Sequence, residues 1–190
     1  MIDATEPSNM PRTDGFATLL DAGILARAQR GEAQAFETIY RTYQRPAFAL
    51  AWRMLGRRAI AEDVVHDCFL RSIEKLHQFR GDSPFGIWLK RMLVHLAIDR
   101  LRSEQRWQGD ADEVDLLAEE LAHPDHQIDA MGLLARLPDR ARTVVWLHQM
   151  EGYAHVEIAA LFKQSESWSK STLARSLERL RQCIQGQETT

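Results

Sequence analysis

The chain has 190 residues, of which 45% are hydrophobic and 27% charged, a balance that supplies one or two small cores and excludes a disordered or fibrous protein. Its two cysteines, Cys68 and Cys183, stand far apart behind an N-terminus that carries Asp3, Glu6 and Asp14 and no apolar export segment. They predict free, buried thiols in a cytoplasmic protein with no disulfide scaffold, and no apolar run reaches the ~18 residues of a membrane span, so no membrane insertion is expected. The net charge of −3 hides a strong division along the chain. Residues 24–107 carry +6 (15 basic against 9 acidic side chains), residues 108–129 carry eight acids and no Lys or Arg, and residues 130–190 carry +2. Two basic blocks suit a polyanion, and the acidic stretch between them resembles a solvated tether.

No window alternates in the period of a half-buried strand, whereas 3.6-residue stripes recur from residue 20 onward, so the fold class is all-α. A first helix is expected from about Asp21 to Tyr43, with Gly31 as a weak point, and a second from Pro46 to Gly56. The third, about Ala59 to His77, shows a buried stripe of Ala61, Val64, Val65, Cys68, Phe69, Ile73 and Leu76. Its opposite face carries Glu62, Asp63, His66, Asp67 and Glu74 around Leu70. Acids with one exposed leucine suit either a solvated face or a docking surface.

Phe79-Arg80-Gly81-Asp82-Ser83-Pro84 reads as a loop that ends in a capping serine and a first-turn proline. The fourth helix then runs to about Arg106. At 100° per residue, Arg91, His95, Arg102 and Arg106 share one stripe beside Asp99, which suits a phosphate or base-reading track or long side chains solvating a helix end. The linker follows at 108–128. Its His123-Pro124-Asp125-His126 is rejected as a metal site, because the proline breaks the spacing that would aim both rings at one ion and no third ligand is fixed.

The last sixty residues predict short helices at Ala130–Arg136, Asp139–Met150, Ala154–Phe162 and Glu166–Ile184, a helix-turn-helix arrangement. On the last helix Leu173, Leu177, Leu180 and Ile184 form the apolar face. Trp168, Ser171, Thr172, Arg175 and Arg179 lie opposite, where a tryptophan is an anomaly that points either to DNA or to local packing.

These stretches together resemble the extracytoplasmic-function (ECF) sigma factors, the two-domain class of bacterial sigma factors. The resemblance rests on Glu32 to Tyr40, Ala61 to Leu70, Phe79 to Phe85 with Trp88-Leu89, Asp99 to Arg102, Leu137-Pro138, Glu151-Gly152, Glu157 to Ala159 and Leu180-Arg181, in that order around an acidic linker. It implies a mobile extension at 1–20, a region 2 domain at 21–107, the linker at 108–128, a region 4 helix-turn-helix domain at 129–184 and a short tail at 185–190.

The resemblance further implies that Glu62, Asp63, His66, Asp67 and Leu70 dock on core RNA polymerase. Arg80, Asp82, Ser83, Arg91, His95, Asp99, Arg102 and Arg106 would hold the melted minus-ten strand of promoter DNA. Trp168, Lys170, Ser171, Thr172, Arg175 and Arg179 would read the minus-thirty-five duplex. An anti-sigma protein is expected as a further partner, and neither a cofactor nor a metal is implied. His66 stands where relatives often carry Gln, and His95 where Asn is common. Ala154 replaces a Ser or Thr cap, Lys163 replaces the turn glycine, and Ser167 to Thr172 keeps only Lys170 and Ser171 of the frequent pattern. Promoter recognition without catalysis is the leading reading, and a stand-alone helix-turn-helix regulator the alternative. No glycine-rich phosphate loop or nucleophile–base pair supports an enzyme.

Overall fold

The computed structural model describes residues 13–108 and 130–187, and every described element is helical. The acidic linker and His123 and His126 lie outside the described residues, as do the first twelve positions and the last three. Backbone proximity divides the chain into two compact units, Met1–Ala51 with Ala61–Leu96, and Trp52–Ile60 with Ala97–Thr190.

After a short 3-10 turn at Thr13–Ala17, α1 spans Ala22–Gln29, α2 Ala33–Leu55, α3 Arg58–Lys75 and α4 Phe85–Gln108. Asp21 caps α1 by accepting the Gly23 amide at 2.7 Å. The sequence places the first break near Pro46, but the chain breaks at Gly31. Gly31 adopts φ +85°, a left-handed conformation that ends α1, whereas Pro46 sits inside an unbroken α2. The fixed φ of proline is itself helical, so a helix continues past it at the cost of a missing hydrogen bond and of a ring crowding the carbonyl one turn back, whereas a left-handed residue stops the helix outright. The core of this unit includes Ile39, Tyr43 and Leu50 of α2, Val64, Cys68 and Phe69 of α3, and Leu89 and Leu93 of α4. Burial pushes the Cys68 thiol up to about 12, against a weaker downward pull from Arg71. Cys183 is free too but only half-buried, short of the expected burial.

Residues 13–20 depart from the expected mobile extension. Phe16 is 1% exposed, and the Tyr43 hydroxyl donates to the Thr18 carbonyl at 2.6 Å. The anchor is one aromatic side chain followed by a free carbonyl, too short to register as helical periodicity.

The second unit holds α5 at Ala130–Ala135, α6 at Asp139–Gln149, α7 at His155–Phe162 and α8 at Glu166–Gln187. Both α6 and α7 pack on α8, around Val144, Leu147, Ile158, Phe162 and Leu173. Arg142 is buried and bridges to Asp139 at 2.7 Å. The α6–α7 connection turns at Gly152, with φ +75°, and the Tyr153 amide closes it onto the Leu147 carbonyl at 3.0 Å.

Candidate nucleic-acid interface

The first surface lies on α3. Helical spacing lines up Glu62, His66, Leu70 and Ile73, with Asp63 and Asp67 beside them, and all six are exposed. Leu70 is 47% exposed and Ile73 50%. Ile73 was expected in the core stripe; Ser72 takes that inward position instead, fully buried, with its hydroxyl donating to the Phe69 carbonyl at 2.8 Å. A serine that returns its proton to its own helix is buried without an unsatisfied group, which frees the isoleucine to lie outside. The face therefore carries two neighbouring apolar side chains within an acidic border, an arrangement complementary to a basic partner with an apolar centre.

The second surface joins the loop before α4 to the outer side of that helix. Arg80 and Asp82 are exposed and Ser83 half-exposed, on a turn set by Gly81 at φ +80°. Phe79 and Phe85 bracket this loop with ring centroids 5.5 Å apart, and Trp88 packs against both at 5.5 and 5.4 Å. Along α4, Arg91, His95 and Asp99 are exposed. Arg102 is more withdrawn, its side chain 17% exposed and bridged to Asp99 at 3.0 Å. The Arg106 side chain lies outside the described residues. His95 Nδ1 lies 2.7 Å from the Arg91 carbonyl. A carbonyl only accepts, so Nδ1 carries a proton toward it, and in that tautomer of the imidazole Nε2 is the nitrogen left to accept. The loop and the stripe thus combine guanidinium donors, a hydroxyl, one imidazole acceptor and aromatic faces, the groups that hold single-stranded nucleic acid.

The third surface is the start of α8. Ser165 caps it by accepting the Trp168 amide at 3.1 Å. Ser167, Lys170, Ser171, Ala174, Arg175 and Glu178 are exposed. Lys170 bridges back to Glu166 at 2.7 Å, which holds the Glu166 carboxyl below its usual range. Thr172, expected on the reading face, is buried with Ser169 and Ser176, and Arg179 is half-buried. The inner face of α8 is therefore rotated from the leucine stripe, and Ile184 stands 36% exposed. The reason is again hydroxyl chemistry: Ser176 donates to the Thr172 carbonyl at 2.7 Å, and Ser169 Oγ lies 3.0 Å from His155 Nδ1. Small side chains, satisfied within their own helix at Ser176 and by α7 at Ser169, let α6 and α7 approach α8 closely.

Trp168 is half-buried inside this unit. Its ring lies 5.2 Å from that of Phe162, and the Arg140 guanidinium stands over both, at 5.3 Å from Trp168 and 5.5 Å from Phe162. The tryptophan thus packs beside the turn where Lys163 adopts φ 54° in place of a glycine. Ala154 lacks a capping hydroxyl, yet Glu157 accepts its amide at 2.8 Å, half of a capping box. His148 and His155 stack at 4.2 Å and 20° between α6 and α7. Burial lowers the His155 pKa, and the charges of His148 and Lys170 add to that while Glu166 opposes it.

Among the described residues no helix is long and apolar enough to cross a membrane, and no group of three metal-ligating side chains converges. Residues 39–107 match the family Sigma-70 region 2, and residues 128–180 match Sigma-70, region 4. The ECF RNA polymerase sigma factor SigM of Mycobacterium tuberculosis is 30% identical over 162 residues, covering 84% of this chain and 82% of that protein. The RNA polymerase sigma-H factor of Pseudomonas aeruginosa is 26% identical over 181 residues, covering 87% and 94%. The sigma factor RpoE of Bartonella quintana, solved in complex with the anti-sigma factor NepR, shares the fold at a TM-score of 0.51 and 20% identity, covering 80% of this chain and 98% of that one. With both sigma-70 regions present in order, and a relative of this identity along most of its length, the chain belongs to the extracytoplasmic-function sigma factors.

Proposed function

We infer that this chain binds core RNA polymerase and directs it to promoters, selecting where transcription starts while the polymerase supplies all catalysis. The observation that carries this reading is the presence of regions 2 and 4 in one chain. A stand-alone regulator needs only the second, and has no use for an exposed acidic face on α3.

In this reading Glu62, Asp63, His66, Asp67 and Leu70, joined by Ile73, dock on a basic surface of the polymerase, where charge steers the encounter and the apolar pair anchors it. Arg80, Asp82 and Ser83 take the unpaired minus-ten strand. Arg91, Arg102 and Arg106 neutralise its phosphates, with Asp99 orienting Arg102. His95 Nε2 accepts a hydrogen bond from an exocyclic amine of an extruded base. On α8, Lys170, Ser171 and Arg175 face the minus-thirty-five duplex, and Trp168 supports them from within. An anti-sigma protein that covers the α3 face would compete directly with polymerase.

Purified chain mixed with core polymerase tests the reading. A stable complex that starts transcripts at a defined position on genomic templates, with no initiation by core alone, is the expected result. Specific duplex binding by the free chain without any polymerase complex would favour the stand-alone regulator and overturn it.

A further inference from the structure

The N-terminal turn lies ahead of the segment matched to region 2, which starts at residue 39, yet it is built into the same unit. Phe16 stacks on Tyr43 with ring centroids 6.3 Å apart and planes 16° from parallel. Its main chain presses on the first turn of α4: a Cβ added to Gly86 would stand 2.0 Å from the Phe16 carbonyl oxygen and 2.9 Å from the Tyr43 ring. Gly86 is the residue type that permits this approach. At the other side, a Cβ on Gly15 would stand 2.9 Å from the Pro46 ring, so the turn also rests on α2.

From Tyr43 the contacts continue toward the loop. Tyr43 packs on Phe85 at 5.7 Å, and Phe85 packs on Phe79 and Trp88. Phe79 precedes Arg80 and Phe85 follows Pro84, so both ends of the loop stand on rings that trace back to Phe16. The entry to the loop is held a second way, by the Gln29 amide donating to the Leu76 and Phe79 carbonyls at 3.2 and 3.1 Å.

We propose that residues 15–18 form a strap that positions the Arg80–Pro84 loop for the minus-ten strand, with Phe16 as its positioning residue. The inference rests on the reading that this loop takes single-stranded promoter DNA. The strap touches no DNA itself. It fixes Tyr43 and the start of α4, so the aromatic base of the loop is ordered before DNA arrives and the loop does not lose that freedom on binding.

The test uses the full chain assembled with core polymerase and a labelled single-stranded minus-ten oligonucleotide. Phe16→Ala is expected to weaken oligonucleotide binding about tenfold and to flatten discrimination among minus-ten sequences, with core affinity unchanged, and Phe16→Leu to recover most of the loss. Should Phe16→Ala not fold, Tyr43→Phe removes only the hydroxyl bonded to Thr18 and is expected to weaken the same binding about threefold. Parallel losses of thermal stability, core affinity and oligonucleotide binding would make Phe16 a core residue and overturn the proposal. So would normal oligonucleotide binding by the strap variants while Arg80→Ala loses it, an outcome that leaves the loop reading standing. Normal binding by Arg80→Ala and Ser83→Ala as well would remove the loop reading and the strap with it.

Discussion

Helices α3 and α8 present their functional faces by different means. In α3 the inner side is made of Ala61, Val64, Val65, Cys68 and Phe69, and hydroxyl chemistry intrudes only at Ser72. In α8 the inner side begins with Ser169, Thr172, Leu173 and Ser176, three of them hydroxylic. A strongly apolar inner face leaves its outer side unambiguous, so the acidic surface of α3 follows directly from periodicity. A hydroxylic inner face gives polar residues on both sides, so polarity does not separate buried Thr172 from exposed Ser171, whose hydroxyl also donates within the helix, to the Trp168 carbonyl at 3.0 Å.

The difference predicts opposite consequences for outward substitutions. Glu62→Lys with Asp63→Lys should abolish detectable core polymerase binding while leaving the melting temperature within ~2 °C of the parent, since both side chains are exposed on a well-packed helix. A pull-down and a melting curve on the same preparation check it. Retained binding would detach the acidic face from docking.

On α8 the nominally outward Trp168 should behave as a packing residue. Trp168→Ala is expected to cost about 2–3 kcal/mol in the second unit, below the range of a fully buried aromatic because the ring is half exposed. Chemical denaturation measures it. Unchanged stability with loss of minus-thirty-five-dependent transcription alone would return the ring to the DNA face and erase the contrast with α3.

A smaller effect of opposite sign is expected at the turn before α8. Lys163 holds a left-handed conformation at the C-terminus of α7, and Lys163→Gly should remove that cost and stabilise the unit by about 1 kcal/mol. A raised denaturation midpoint confirms the strain; a lowered one means that the lysine side chain contributes more than its backbone costs.

The smallest effect concerns acid. With the folded pKa of His155 lowered by burial and by its neighbours, the unfolded chain binds the proton more readily than the folded unit. Its contribution is therefore complete above about pH 6.5 and declines as pH falls through that value toward the lower folded one. Melting at pH 7.5 and 5.5 should show a drop that shrinks in His155→Gln, and an equal drop in that variant would move the effect elsewhere.

Much of this was legible in the chain itself. The long 3.6-residue stripes locate α3, α4, α6, α7 and α8 to within a few residues, and the exposure of Glu62, Asp63, His66, Asp67 and Leu70 on α3, though not that of Ile73, and of the Arg91–His95–Asp99 stripe follows from them. Gly31 and Pro46 were harder, because both read as breakers and only the backbone angle separates a stop from a tolerated proline. Ser72, Ser169, Thr172 and Ser176 read as polar and lie inside, since composition does not reveal where a hydroxyl spends its proton. Phe16 carried no periodic signal at all, and its role depends on Gly86, seventy residues later.

Cys68 gives the first unit a built-in clock. Its sulfur lies 3.8 Å from the Leu89 carbonyl between α3 and α4 and is wholly shielded from solvent. With the thiol raised to about 12, a folded molecule offers almost no thiolate to an alkylating reagent at neutral pH. Modification at this position therefore proceeds through opened molecules, and its rate counts how often α3 and α4 part. Half-buried Cys183 is within reach of the reagent without such opening, so in a single labelling time course followed by peptide mass it serves as the internal reference against which the opening at Cys68 is timed.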